Sequence, residues 1–180
     1  MPLHDWTRTT DGVFHHFRVQ WLHSLGHVLN RGLLPKGYYA LMRQSEPGLF
    51  GRRRGTLQVY EAATSRLTAV VEVAARRGPS LHRDVARATP KAAELLRRGI
   101  GVLHLDVRRC RMLVSHELGA TIPATVCIVR VGQALPEMPL LLAPGVPVLI
   151  PLEQTYLEAW DDVPEVIREG IVRPNPMEIP

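Results

Sequence analysis

Two nearly unbroken apolar runs, Leu67–Ala74 and Ile100–Val107, bracket a stretch of helical character, and this arrangement narrows the fold more than any other feature of the chain. A strand that is apolar at successive positions has no polar side to turn to water, so it belongs inside a sheet covered on both faces. Two such strands joined through a helix form a parallel crossover unit. The joining region runs from Leu81 to Arg98 and closes on Gly99 as a helix C-cap. Within it, Thr89 reads as the cap of a fresh helix whose first position is Pro90. The expectation is one mixed sheet, with Glu72 and Leu105 on neighbouring strands.

Around this unit the periodicity is legible. Phe14, Phe17, Trp21, Leu25 and Val28 recur at spacings of three and four, which predicts a helix capped by Asp11 and ending near Asn30-Arg31-Gly32. Tyr38–Met42 and Thr56–Tyr60 read as strands, and the glycine- and proline-containing stretch between them as a loop or wide hairpin. Short antiparallel pieces are expected at Arg111–His116 and Thr125–Val131. Leu135–Leu152, rich in proline and leucine, reads as extended structure against the body of the domain. A final amphipathic helix over Glu153–Glu169 would turn Tyr156, Leu157 and Trp160 inward.

The 180 residues, 46% of them hydrophobic, suffice for one domain with a full core, taken as residues 1–180. No apolar run reaches the length of a membrane span, and the opening residues lack the pattern of a signal peptide. The two cysteines, Cys110 and Cys127, form no disulfide framework, so a cytoplasmic protein with reduced thiols is expected. The net charge of +5 favours an anionic partner through long-range attraction. Arg52-Arg53-Arg54 and Arg76-Arg77 are the densest basic clusters. Such runs most often mark solvated loops; the functional reading is phosphate contact with nucleic acid. Aromatic residues make up only 6% of the chain, which disfavours a stacking platform for single strands.

A carboxylate within an apolar central strand is the main chemical signal. Burying its charge costs several kcal/mol, on the order expected from desolvation, unless it is paired or bound to metal. Glu72 therefore has a buried cationic partner, is protonated, or lines a cleft. His16, His23 and His27 share one side of the first helix, and His23 and His27 stand one turn apart. With no third ligand indicated, these histidines read as exposed or interfacial. No nucleophile elbow, phosphate loop, dinucleotide fingerprint or paired Cys-x-x-Cys is present.

The opening Met1-Pro2-Leu3-His4-Asp5-Trp6-Thr7-Arg8, then Gly12-Val13-Phe14-His15-His16-Phe17 and Trp21, resembles an uncharacterised bacterial domain-of-unknown-function family. Leu33-Leu34-Pro35-x-Gly37-Tyr38-Tyr39-Ala40-Leu41, Leu135-Pro136-x-Met138-Pro139-Leu140 and Pro151-Leu152-Glu153-x-Thr155-Tyr156 with Trp160 are similar too. That family is distantly similar to the Uma-type endonucleases and so to the PD-(D/E)xK nuclease superfamily. The resemblance implies a mixed central sheet flanked by helices, followed here by the C-terminal extended segment and helix.

In that superfamily an Asp and a Glu on adjacent strands hold a divalent cation, and a lysine positions the attacking water. By the resemblance Glu72 matches the strand glutamate, both catalytic and metal-binding, and Lys91 matches a helix lysine. Magnesium is the implied cofactor if the site is active. The partner aspartate is expected near the start of the Thr56 strand, where the sequence offers Arg52-Arg53-Arg54-Gly55; Asp106 is the one substitute in reach of the next buried strand. The resulting expectation is a domain that has lost, or nearly lost, catalysis and acts as a binding or assembly module with a basic face. The alternatives are an active metal-dependent nuclease and a protein-binding subunit using Leu135–Leu152, as a homo-oligomer or with another protein.

Overall fold

The structure, a computed structural model, describes residues 4, 6, 9–43, 55–73, 92–106, 111–114, 125–128 and 133–172. Helix α1 (Asp11–Val28) starts one residue earlier than the sequence suggested: Thr10 is the cap, its hydroxyl accepting the Val13 N–H at 3.4 Å. Asp11 takes the first helical position, where a negative charge faces the positive end of the helix. The buried stripe holds Phe14, Phe17, Trp21 and Leu25 as expected, and widens to include Arg18, Leu22 and Gly26. A β-carbon on Gly26 would come within 3.1 Å of Leu57 Cδ1, so α1 lies close against the sheet there. The helix ends in a single π-helical turn (Leu29–Leu33), in which Leu34 N–H bonds the Leu29 carbonyl at 3.0 Å. Gly32, at φ 135°, takes the backbone out of the helix.

The six strands of the main sheet lie side by side in chain order: β1 (Tyr38–Arg43), β2 (Thr56–Glu61), β3 (Arg66–Val73), β4 (Gly101–Asp106), β5 (Arg111–Val114) and β6 (Thr125–Ile128). The pairing is antiparallel except between β3 and β4, which run parallel. Glu72 and Leu105 thus occupy neighbouring strands of one mixed sheet, with Val73 opposite Leu105. The described part of the crossover is helix α2 (residues 92–97). It closes on Gly99 at φ 73°, with Ile100 N–H bonding the Leu95 carbonyl at 2.9 Å, as a glycine C-cap requires. Thr89 and Pro90 lie outside the described residues.

The proline- and leucine-rich segment forms a hairpin of its own, β7 (Glu137–Ala143) with β8 (Val146–Pro151). Met138, Leu140, Leu142, Val148 and Ile150 are buried in the main core. Beneath the hairpin, a β-carbon on Gly101 would sit 2.0 Å from the Leu141 carbonyl oxygen. Only glycine fits that crossing.

The last helix of the sequence reading is two helices, α3 (Leu152–Asp161) and α4 (Glu165–Val172). Pro164 cannot donate an amide to a continuing helix, and its carbonyl opens the next one by accepting Ile167 N–H at 2.9 Å. Tyr156 and Trp160 are buried as expected, whereas Leu157 is only partly so. Among the described residues no helix is long and apolar enough to cross a membrane.

The main core lies on one face of the sheet, between Leu57, Val59, Ala69, Val71, Val73, Leu103 and Leu105 and the covering α1, hairpin and α3. Its thickest part is aromatic. Trp6 stacks on Phe17 at 4.1 Å between centroids, and Tyr156 meets Phe17 and Trp21 edge-on. The Tyr156 hydroxyl binds the chain start: Trp6 Nε1 donates to it at 2.9 Å and His4 N–H at 3.2 Å. The same hydroxyl lies 2.9 Å from His4 Nδ1, within hydrogen-bond distance. Trp21 Nε1 similarly donates to Thr155 Oγ1 at 3.0 Å.

Candidate functional site

Alternation along the strands sends the remaining side chains of β2, β3 and β4 to the opposite face of the sheet. Val70 and Val102 stand side by side there, and Ala92 and Leu96 of α2 pack with Val102 in a small second core. One step further along, the character changes. Glu72 is fully buried, and its register partner on β4 is His104, itself only 4% exposed. His104 Nδ1 lies 3.9 Å from Glu72 Oε2. An imidazole on the next strand thus stands beside the buried carboxylate, and when protonated it supplies a positive charge there.

On the other flank, Leu57 pairs with Val71, so the antiparallel register places Thr56 across from Glu72. Thr56 begins a buried polar row along β2. Gln58 Nε2 donates to Thr56 Oγ1 at 3.5 Å, and the Tyr60 hydroxyl donates to Gln58 Oε1. Tyr60 stacks on Tyr39 of the edge strand, centroids 5.6 Å apart. Thr68 donates to the Val59 carbonyl at 3.1 Å, satisfying the β2 backbone beside the irregularity at Val59/Tyr60. Glu72 and His104 lie near the carboxyl ends of the parallel pair, the part of an α/β sheet where ligands commonly bind.

A buried arginine approaches the start of β2 from α1. Arg18 is 2% exposed, and its guanidinium reaches the Gly55 carbonyl at 3.5 Å and His15 Nδ1 at 3.2 Å. Burial, the Arg18 charge and then His16 all lower the His15 pKa, which leaves the imidazole a neutral acceptor for the guanidinium.

Of the residues singled out in the sequence, Glu72 lies buried on β3, with His104 and Thr56 as its neighbours in register. Lys91, Arg52, Arg53, Arg54, Arg76 and Arg77 lie outside the described residues, as does Cys110. Asp106 ends β4 at the position opposite Arg111. His16, His23 and His27 are exposed. His104, Thr56, Gln58 and Arg18 were not recognised from sequence. His104 had a local signal, since it interrupts the run Val102-Leu103-His104-Leu105 as Glu72 interrupts its own.

Magnesium asks for near-octahedral oxygen ligands and is held through one or more carboxylates. Among the described side chains the site offers one carboxylate, with a threonine across from it and an imidazole alongside, and the side chain of Asp106, two positions beyond His104 on β4, lies outside the described residues. Among the described residues no group of three or more His, Cys, Asp or Glu side chains is set to hold a metal ion. Glu72, Thr56 and His104 by themselves do not make a magnesium centre. Compared with protein-family models, curated proteins and solved structures, the chain matches none.

Proposed function

We propose that this chain is a PD-(D/E)xK-like domain in which metal-dependent cleavage has been lost and which serves as a binding or assembly module with a basic face. The order helix, antiparallel three-strand meander, crossover helix and parallel fourth strand supports the comparison with that nuclease core. Glu72, buried near the carboxyl end of the third strand, supports the placement of its site. The observation that carries the loss of catalysis is Thr56, which stands across from Glu72 on the strand where the partner carboxylate would lie. A hydroxyl there contributes no negative charge, and His104 on the other side brings a nitrogen and, when protonated, a competing positive charge.

A basic face without base-reading motifs acts through phosphate neutralisation and counterion release, so nucleic-acid binding is weak, indifferent to sequence and steeply salt-dependent. The hairpin of Leu135–Leu152 spends its inward side chains on the core, which argues for coverage over partner binding.

Incubating the full chain with plasmid and with RNA in magnesium or manganese tests the reading, alongside Glu72→Ala. No turnover is expected, and calorimetry with either ion should show nothing tighter than about millimolar affinity. Turnover that disappears in Glu72→Ala would instead establish an active nuclease using Glu72, with Lys91 as the candidate lysine. Replacing Arg52, Arg53 and Arg54 by Ala should reduce the salt slope of duplex binding by about 0.9 for each phosphate that is no longer neutralised. Unchanged binding in that variant would remove the basic cluster from the proposal.

A further inference from the structure

Among the described residues strand β1 is an edge of the main sheet, and its composition makes that edge hazardous. Tyr38-Tyr39-Ala40-Leu41-Met42 carries no charge before Arg43, and Leu41 is 45% exposed. An uncharged, β-prone edge is a template for pairing with another strand, and the partner that always matches it is an identical strand run antiparallel.

The backbone of this edge is occupied. Asn30 Nδ2 donates to the Ala40 carbonyl at 2.9 Å, and Ala40 N–H donates to Asn30 Oδ1 at 2.8 Å. A primary amide carries the same donor and acceptor as a peptide group, so Asn30 makes with Ala40 the double hydrogen bond that a residue of an adjoining strand would make. These two Ala40 groups point away from β2, and strand alternation turns those of Tyr38 and Met42 the same way. Tyr38 N–H is in turn taken by the Pro35 carbonyl at 3.2 Å. The outward ladder is therefore satisfied at its start by a turn and at its centre by one side chain.

Two local irregularities aim that side chain. Asn30 lies in the widened turn in which Leu34 N–H bonds the Leu29 carbonyl, and Gly32 then leaves the helix at φ 135°. Single π-turns inside helices often mark positions with a task beyond packing.

We infer that Asn30 is a built-in stop on strand addition: its amide stands in for one residue of a seventh strand and denies the β1 edge to a second copy of this chain. The test compares the full chain with Asn30→Ala by sedimentation over a range of concentrations. The weight-average mass of Asn30→Ala should rise with concentration above that of the parent, towards twice it. Adding Leu41→Lys, an edge lysine, should return the mass to the parent value. An Asn30→Ala variant with native circular dichroism and the parent mass at every concentration overturns the inference. So does a rise in mass that Leu41→Lys leaves unchanged, because the association would then use another surface. Asn30→Asp keeps the acceptor and loses the donor, and it replaces Asn30→Ala if that variant does not fold. Hydrogen exchange on the parent supplies an independent measurement. The Ala40 amide should be protected on the order of tenfold or more relative to a free edge amide, the scale of one hydrogen bond. Exchange at the unprotected rate overturns the inference without any variant.

Discussion

The two faces of the central sheet are built from alternate residues of the same strands, yet they are different materials. On one face Leu57, Val71, Val73, Leu103 and Leu105 meet the aromatic side of α1 and the hairpin. On the other, the hydrogen-bonded row Thr56, Gln58 and Tyr60 and the pair Glu72 and His104 lie beside a small apolar patch at Val70 and Val102. The first face supplies the burial that stabilises a fold; the second retains buried polar groups that contribute little net burial energy and restrict what can replace them. This division gives the apolar burial to one face and the buried polar groups to the other.

The largest effect that tests the division is on the aromatic face. Trp21→Ala removes a fully buried indole and leaves Thr155 without its donor, and it should cost about 3–5 kcal/mol in urea unfolding. A loss below about 1 kcal/mol would mean that this face is not where the stability resides.

Acid should act on the same face through His4. Burial first, and then the positive α-amino group, lower its pKa from 6.5 to about 4. The unfolded chain therefore takes up the proton before the folded one does. Stability is complete above about pH 6.5, falls as the pH drops towards about 4, and levels off below that. Between pH 7 and 4.5 the loss attributable to His4, allowing for solvent screening, is on the order of 1–2 kcal/mol, read as the difference in pH dependence between the parent and His4→Gln. Parallel profiles for the two proteins would place His4 outside the stabilising network.

The smallest effect belongs to the polar face. Thr56→Val removes a hydroxyl whose close partner among the described residues is Gln58 at 3.5 Å, and it should change stability by no more than about 1 kcal/mol. A loss above about 2 kcal/mol would show that the polar row holds the fold as the aromatic face does, and the division would fail.

What the sequence revealed follows the same line. Features written locally were legible: the apolar runs of β3 and β4, the glycine cap at Gly99, and the spacing of Phe14, Phe17 and Trp21. The break at Pro164 was also local, but a continuous amphipathic pattern through Tyr156 and Trp160 masked it. Glu72 was legible because a charge in an apolar strand demands a partner. That its neighbours in register are His104 and Thr56 depends on pairing between strands, which no single segment encodes. Asn30 looked like the end of a helix, and nothing near it in sequence tells that its amide faces Ala40.

The hydroxyl of Tyr156 joins residues about as far apart as the chain allows: Trp6 and His4 lie 150 and 152 positions before it. On a ribosome, Phe14, Phe17 and Trp21 therefore leave the exit tunnel long before α3 exists to cover them. At about 5–20 residues per second, roughly seven to twenty-eight seconds pass between the synthesis of Trp21 and that of Trp160. Through that interval the nascent chain carries an aromatic stripe that α3 does not yet cover.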